Sequence, residues 1–261
     1  LCYAAVSESK RTLARALRDA IEADRVDDVA ALLAQGAPPD GWWDAAKAAE
    51  QEQGLRTLAI AEMDEAVKAE LESVGIDLTD LAISGPPTAP YSHEIPLFLA
   101  VEREHLECAR ILLDFGADVN KRDNMQQTAL FYANSAEAVD LLVSGGIDVR
   151  AVDDLRDDAL DSRCREFGEI EGTEQHDRAV CNALLASGLP LLRQRPHRNY
   201  GRLYNAAFAE NLLGVQFLLE SGHPVDADDD TTPLHAICWH WDYEDTQQNA
   251  VTRGIVRTLL D

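Results

Sequence analysis

Aspartate is the residue type in this chain whose crowding could do chemistry. Asp153, Asp154, Asp157 and Asp158 fall in the stretch 147–158 (IDVRAVDDLRDD), beside Asp148 and two arginines. Asp226, Asp228, Asp229 and Asp230 fall in 223–231 (HPVDADDDT), which holds no Lys or Arg. Carboxylates this close repel one another, and a partner presenting Lys or Arg relieves that repulsion. The competing use is local, because Asp caps helices and closes turns with its short side chain. Asp228-Asp229-Asp230 makes a poor calcium loop, since it lacks alternating oxygen ligands, a glycine turn and a distal Glu.

A second constellation is aromatic. Trp239, Trp241 and Tyr243 lie in 239–249 (WHWDYEDTQQN) beside Asp242, Glu244 and Asp245. Flat rings in an acidic setting suit an interface, where they supply area and stack on Arg. The alternative is that they cover the end of a stack of helices, and Trp42-Trp43 reads more simply as packing. His235, Cys238 and His240 have no established ligand spacing, and no fourth ligand is evident. No metal and no cofactor is expected. The chain has no G-x-S-x-G, no P-loop, no dinucleotide fingerprint and no H-E-x-x-H. Paired carboxylates arise by chance in an acidic chain, so no enzyme activity is expected.

The 261 residues carry 47 Asp+Glu against 23 Lys+Arg, a formal charge of -24. Nucleic acid and anionic membranes repel such a chain, and a basic protein surface attracts it. Apolar residues make up 46% but aromatics only 6%, so the core is built from Ala, Leu, Val and Ile. The five cysteines show no paired spacing, which favours free thiols in a reducing compartment. Cys164 and Cys181 fall where they can face each other in one helix pair, which leaves a single disulfide open. No run of about 18 apolar residues is present to span a membrane. These features place the protein in the cytoplasm, or in the periplasm if a leader was removed before Leu1. Arginine outnumbers lysine 19 to 4 and Ala is abundant, which points to a GC-rich bacterial genome.

The elements that must position these residues are marked by glycine. Gly36, Gly75, Gly116, Gly146, Gly188 and Gly222 each follow a short, mostly Leu-rich apolar run. Glycine there supplies the left-handed backbone that closes a helix. The spacings of 39, 41, 30, 42 and 34 residues describe an irregular array with insertions and one trimmed helix. The expected helix pairs are 8–23 with 26–34, 42–53 with 56–73, 96–103 with 106–114, and 128–134 with 136–143. Further pairs are expected over 158–165 with 177–186, 201–209 with 212–220, and 233–240 with 249–260. Residues 84–94 are a proline-rich connection (SGPPTAPYSHE) without helical period. It divides divergent repeats in 1–83 from a clearer array in 95–261.

Thr232-Pro233-Leu234-His235-Ala236 and Gly116-Ala117-Asp118-Val119-Asn120 together resemble the ankyrin repeat family. The stretch 95–123 reads as one complete unit, with good copies at 127–153 and 200–235. The resemblance implies an all-α solenoid of about six to seven helix-pair repeats, irregular and with insertions. It also implies that inter-repeat loops project as fingers beside the first helices and that His235 braces its own turn. The usual Gly-His between helices is replaced here by Arg103-Glu104-His105.

On that basis the chain reads as a non-catalytic protein-binding module, monomeric before it meets a partner. The expected contact residues are Asp153, Asp154, Asp157, Asp158, Asp226, Asp228, Asp229, Asp230, Trp239, Trp241 and Tyr243. The partner is expected to be a protein with a basic surface. The favoured role is a bacterial immunity or inhibitor protein that neutralises a cognate toxin or effector enzyme. A general scaffold or adaptor, or a host-directed ankyrin effector, stays open beside it.

Overall fold

The structure, a computed structural model, describes residues 2–42, 90–168, 173–192, 201–225, 232–239 and 248–260. Among them are eleven α-helices and two short 3-10 turns, and no strand. The helices run α1 (Cys2–Glu22), α2 (Val26–Ala34), α3 (Pro96–Glu102), α4 (Leu106–Asp114), α5 (Ala136–Ser144) and α6 (Ala159–Glu166). They continue with α7 (Glu174–Ala186), α8 (Arg202–Phe208), α9 (Leu212–Glu220), α10 (Pro233–Trp239) and α11 (Gln248–Leu260). None of these is long and apolar enough to cross a membrane.

In α1/α2, α3/α4 and α8/α9 the chain folds back over three residues, and α2, α4, α5, α7 and α9 each close at a glycine. Gly36, Gly116, Gly146, Gly188 and Gly222 have φ between +86° and +96°, and a Cβ at any of them would meet no atom within 4 Å. Backbone conformation, not space, therefore demands glycine there. The next N–H reaches back to close the helix: Ala37 to Leu32 O at 3.0 Å, Ala117 to Leu112 O at 2.9 Å, His223 to Leu218 O at 2.9 Å. The residue after the glycine is buried each time, which anchors the outgoing chain.

The pairs stack in chain order. First elements touch first elements, α1 to α3, α3 to the 3-10 turn Ala129–Tyr132, that turn to α6, then α6 to α8 and α8 to α10. Second helices pair as α2 with α4, α4 with α5, α5 with α7, and α9 with α11. One continuous core of small aliphatic side chains runs through the stack, from Leu17 and Ile21 through Leu97, Leu112 and Leu142 to Leu203, Leu218 and Ile255. Polar side chains lock the steps. His105 Nδ1 donates to Ile21 O at 2.7 Å, Asn134 Nδ2 to Glu102 O at 3.0 Å, and Asn211 Nδ2 to Arg165 O and Phe167 O at 2.9 Å. Each bond is accepted by a carbonyl at or just past the C-terminus of an earlier helix.

One expectation needs correcting. The unit at 128–134 is a 3-10 turn, not a helix, because Ser135 already caps α5 through Ala138 N at 3.1 Å and leaves no room for a second turn. Among the described residues, α1/α2 packs on α3/α4. These are direct neighbours, joined by the His105 bond, by Cys108 Sγ to Asp24 Oδ1 at 3.6 Å and by Asp118 N to Asp40 Oδ1 at 2.8 Å. The expected pair at 42–53 and 56–73, with Gly75, lies outside the described residues apart from Trp42. At Gly41 a Cβ would overlap the Glu94 carbonyl, so residues 41 and 94 lie in close contact.

Candidate functional site

The fingers at 117–127 and 147–158 share one backbone design. Asp123 N donates to Gln127 O at 3.0 Å, and Asp123 Oδ1 accepts from Met125 N and Gln127 N, both at 2.9 Å. Thirty residues on, Asp153 N donates to Asp157 O at 2.9 Å, and Asp153 Oδ1 accepts from Asp157 N at 2.8 Å. Gln126 and Arg156 turn each tip with φ of 62° and 65°. The fingers are tied side by side. Asp148 N donates to Asn120 Oδ1 at 2.7 Å, and Asp154 N to Met125 O at 3.0 Å. Arg122 Nη1 donates to Gln126 O at 2.6 Å and Val152 O at 2.7 Å. Such cross-linking fixes the tips before any partner arrives.

Three of the four expected carboxylates in 147–158 do not face outward. Asp153, Asp157 and Asp158 are 4%, 3% and 1% exposed. Asp157 pairs with Arg165 at 2.9 Å. Asp158 caps α6, accepting from Leu160 N and Asp161 N at 3.1 Å, while Asp161 Oδ2 accepts from Asp158 N at 3.0 Å. Arg202 then closes on this cap. Its Nη1 meets Asp158 Oδ1 at 2.5 Å and Asp161 Oδ1 at 2.9 Å, and its Nη2 meets Asp158 Oδ2 at 2.7 Å. Its remaining donors reach Leu191 O and Pro190 O. Burial opposes the guanidinium charge, but the Asp158 bond and the charges of Asp161 and Asp158 hold its pKa above the usual value. Burial pushes the Asp153 carboxyl upward, against the lowering bond from Asp157 N. These side chains carry internal structure.

Asp154 alone of that group is exposed. It shares the tips with Met125 and Leu155, exposed by 43% and 59%, and with Asn124, Gln126 and Arg156. The edge is therefore apolar at its centre and mixed in charge around it. Asp226, Asp228, Asp229, Asp230, Trp241 and Tyr243 lie outside the described residues, and Trp239 is placed only by its backbone at the end of α10. His235 Nδ1 accepts from Thr232 N at 3.1 Å and also lies 3.1 Å from Thr232 Oγ1, so it braces the start of α10. Among the described residues no three His, Cys, Asp or Glu converge on a point that suits a metal.

Sequence reasoning missed Arg202, Arg165 and Arg122. Arg202 carried a signal: it stands at the first helical position after the turn, where Pro96 and Ala129 stand in other units, and a long base in a buried slot needs an acid. Met125 and Leu155 were also legible, as lone apolar residues at the tips of polar turns.

Comparison with known proteins agrees with the geometry. A family model described as ankyrin repeats matches three copies over residues 55–153. The proteins named ankyrin repeat and SOCS box protein 6 from Pongo abelii and from Homo sapiens are each 31% identical over 163 residues. That alignment takes in 55% of this chain and 38% of the relatives, so the chain spans well under half of their length. A crystal structure of the human ASB11 ankyrin repeat domain superposes over 93% of this chain and 82% of its own, with a TM-score of 0.53 and 20% identity.

Proposed function

We propose that this ankyrin-repeat chain is a non-catalytic adaptor that docks a protein partner against its finger edge. Ankyrin repeats are protein–protein interaction modules. The observation that carries the reading is the pair Met125 and Leu155. Both are exposed apolar side chains, on successive turns whose backbones are bonded together through Asp154 N and Met125 O. Rigid apolar anchors with a polar rim are what a specific interface uses, and their fixed backbone lowers the entropy lost on binding. Asp154 supplies one acid of the rim, and Asp226, Asp228, Asp229 and Asp230 are proposed to supply more, with Trp239, Trp241 and Tyr243 as further ring contacts. The charge of -24 supports a basic partner and speeds its approach.

The relatives' name pairs ankyrin repeats with a SOCS box, which supports an array that recognises one protein on behalf of another module. The narrower reading, an immunity or inhibitor protein masking a toxin or effector enzyme, rests on the acidic charge alone. The chain is proposed to be a monomer until it binds.

The test is a partner captured on the intact chain and identified by mass spectrometry, then titrated against Met125→Glu/Leu155→Glu. Loss of at least tenfold in affinity at unchanged melting temperature supports the finger edge. Wild-type affinity of the double variant refutes it. Rescue of cells expressing that partner separates inhibitor from adaptor.

A further inference from the structure

Cys164 and Cys181 occupy the two facing places of one helix hairpin. Cys164 stands six residues after the Asp158 cap on α6, and Cys181 stands seven residues before Gly188 on α7. The same two places hold Val101 and Ala109 in α3/α4, and Ala207 and Val215 in α8/α9, all fully buried. Aliphatic pairs fill those places elsewhere; here both positions carry thiols, which pack as small apolar groups and, unlike an aliphatic pair, can also cross-link. α6 and α7 pack against each other with both residues inside the contact, 1% and 0% exposed. Both are free thiols in this structure.

We propose that Cys164 and Cys181 form a reversible intramolecular disulfide that locks the α6/α7 repeat. Two S–H bonds break and one S–S bond forms. The electron pair reduces an oxidant of the disulfide class, such as oxidised glutathione, which leaves as two thiols carrying the two protons. The contact with Cys181 and burial hold the Cys164 thiol protonated well above its ordinary range. The closed hairpin therefore reacts slowly, and exchange runs through local opening of the repeat.

α6 stops at Glu166 and α7 starts at Glu174, seven residues between them, where α1/α2, α3/α4 and α8/α9 are each joined by three. The wider junction is held by Asp177, which accepts from Gly168 N at 2.8 Å and Thr173 Oγ1 at 3.1 Å and pairs with Arg163 at 3.4 Å. A cross-link between the two helices bypasses that junction and keeps α6, with its Asp158 cap, in register against Arg202.

The experiment exposes the intact chain to oxidised glutathione in moderate urea, which opens the repeat, and then maps the cysteines by mass spectrometry. Two of the five thiols should disappear. One linked peptide should join positions 164 and 181, without dimer. The melting temperature should rise by roughly 5–10 °C and return on reduction. Cys164→Val, which installs the α3 counterpart, should keep the helical spectrum and abolish both the thiol loss and the shift. Cys181→Val should do the same. A bond between other cysteines, persistence of both thiols in the opened chain, or an oxidised form that melts no higher than the reduced one each overturns the proposal.

Discussion

Arg202 and Asp158 form a two-pronged ion pair inside the stack, Nη1 to Oδ1 at 2.5 Å and Nη2 to Oδ2 at 2.7 Å, with side chains 1% and 2% exposed. The pair joins the start of α8 to the start of α6, so one contact holds two repeats in register and satisfies a helix cap. Its fork geometry matches the carboxylate in a way no ammonium does.

Arg202→Met should cost about 3–5 kcal/mol, because it leaves Asp158 and Asp161 buried without their cation. Arg202→Lys keeps the charge, loses the fork and should fall between. Urea denaturation followed by circular dichroism measures both. A methionine variant within about 1 kcal/mol of the wild type removes the pair from the account of stability.

Asp153 makes stability depend on pH in an identifiable direction. Its carboxyl is shifted upward in the fold, chiefly by burial, so the folded state holds that proton where the unfolded chain has released it. Its stabilising contribution is complete below the unfolded Asp pKa of about 3.9 and is lost as pH rises through the folded value. Asp153→Asn keeps the acceptor for Asp157 N and removes the titration. The variant should melt higher than wild type at pH 7, and the gap should close as pH falls toward 4. A gap that stays constant over that range contradicts the burial argument.

Gly214 lets α9 press against the end of α6. A Cβ there would overlap the Cys164 carbonyl oxygen, which belongs to backbone and cannot rotate away. Gly214→Ala should destabilise by about 2 kcal/mol or more, despite alanine's better helix propensity. Equal or raised stability in a thermal melt shows that the two helices separate more easily than their packing implies.

Glu104 and Gln126 hold left-handed backbone at φ of 61° and 62° without being glycine. Each stands at a turn that recurs along the chain, between paired helices or at a finger tip. Glu104→Gly and Gln126→Gly should each stabilise by about 0.5–1 kcal/mol, since the Cβ strain disappears. The effects should add, because among the described residues no hydrogen bond or ion pair joins the two turns. Differential denaturation of the single and double variants reads both numbers.

The stack was legible because its signals are local. A glycine that ends a helix, a Thr-Pro start and a Leu-rich run each act within a few residues, and α3/α4 and α8/α9 lie close to where such patterns place them. The trimmed unit was legible as a short spacing, but whether Ala129–Tyr132 would be a helix depended on the Ser135 cap. The exposure of the finger carboxylates was less legible. Asp154 and Asp157 look alike in sequence, yet one is exposed and the other pairs with Arg165, on a different element.

What the sequence determined by itself is the repeating hairpin and its apolar faces, because helix closure and side-chain periodicity are short-range. What only the tertiary structure decided is which charges meet solvent and which pair of helices adjoins which. Arg202 lies 44 residues from Asp158, and Ile21 lies 84 from His105. Desolvation turns on such distant neighbours, so the same aspartate is a rim charge or a buried cap according to what packs over it.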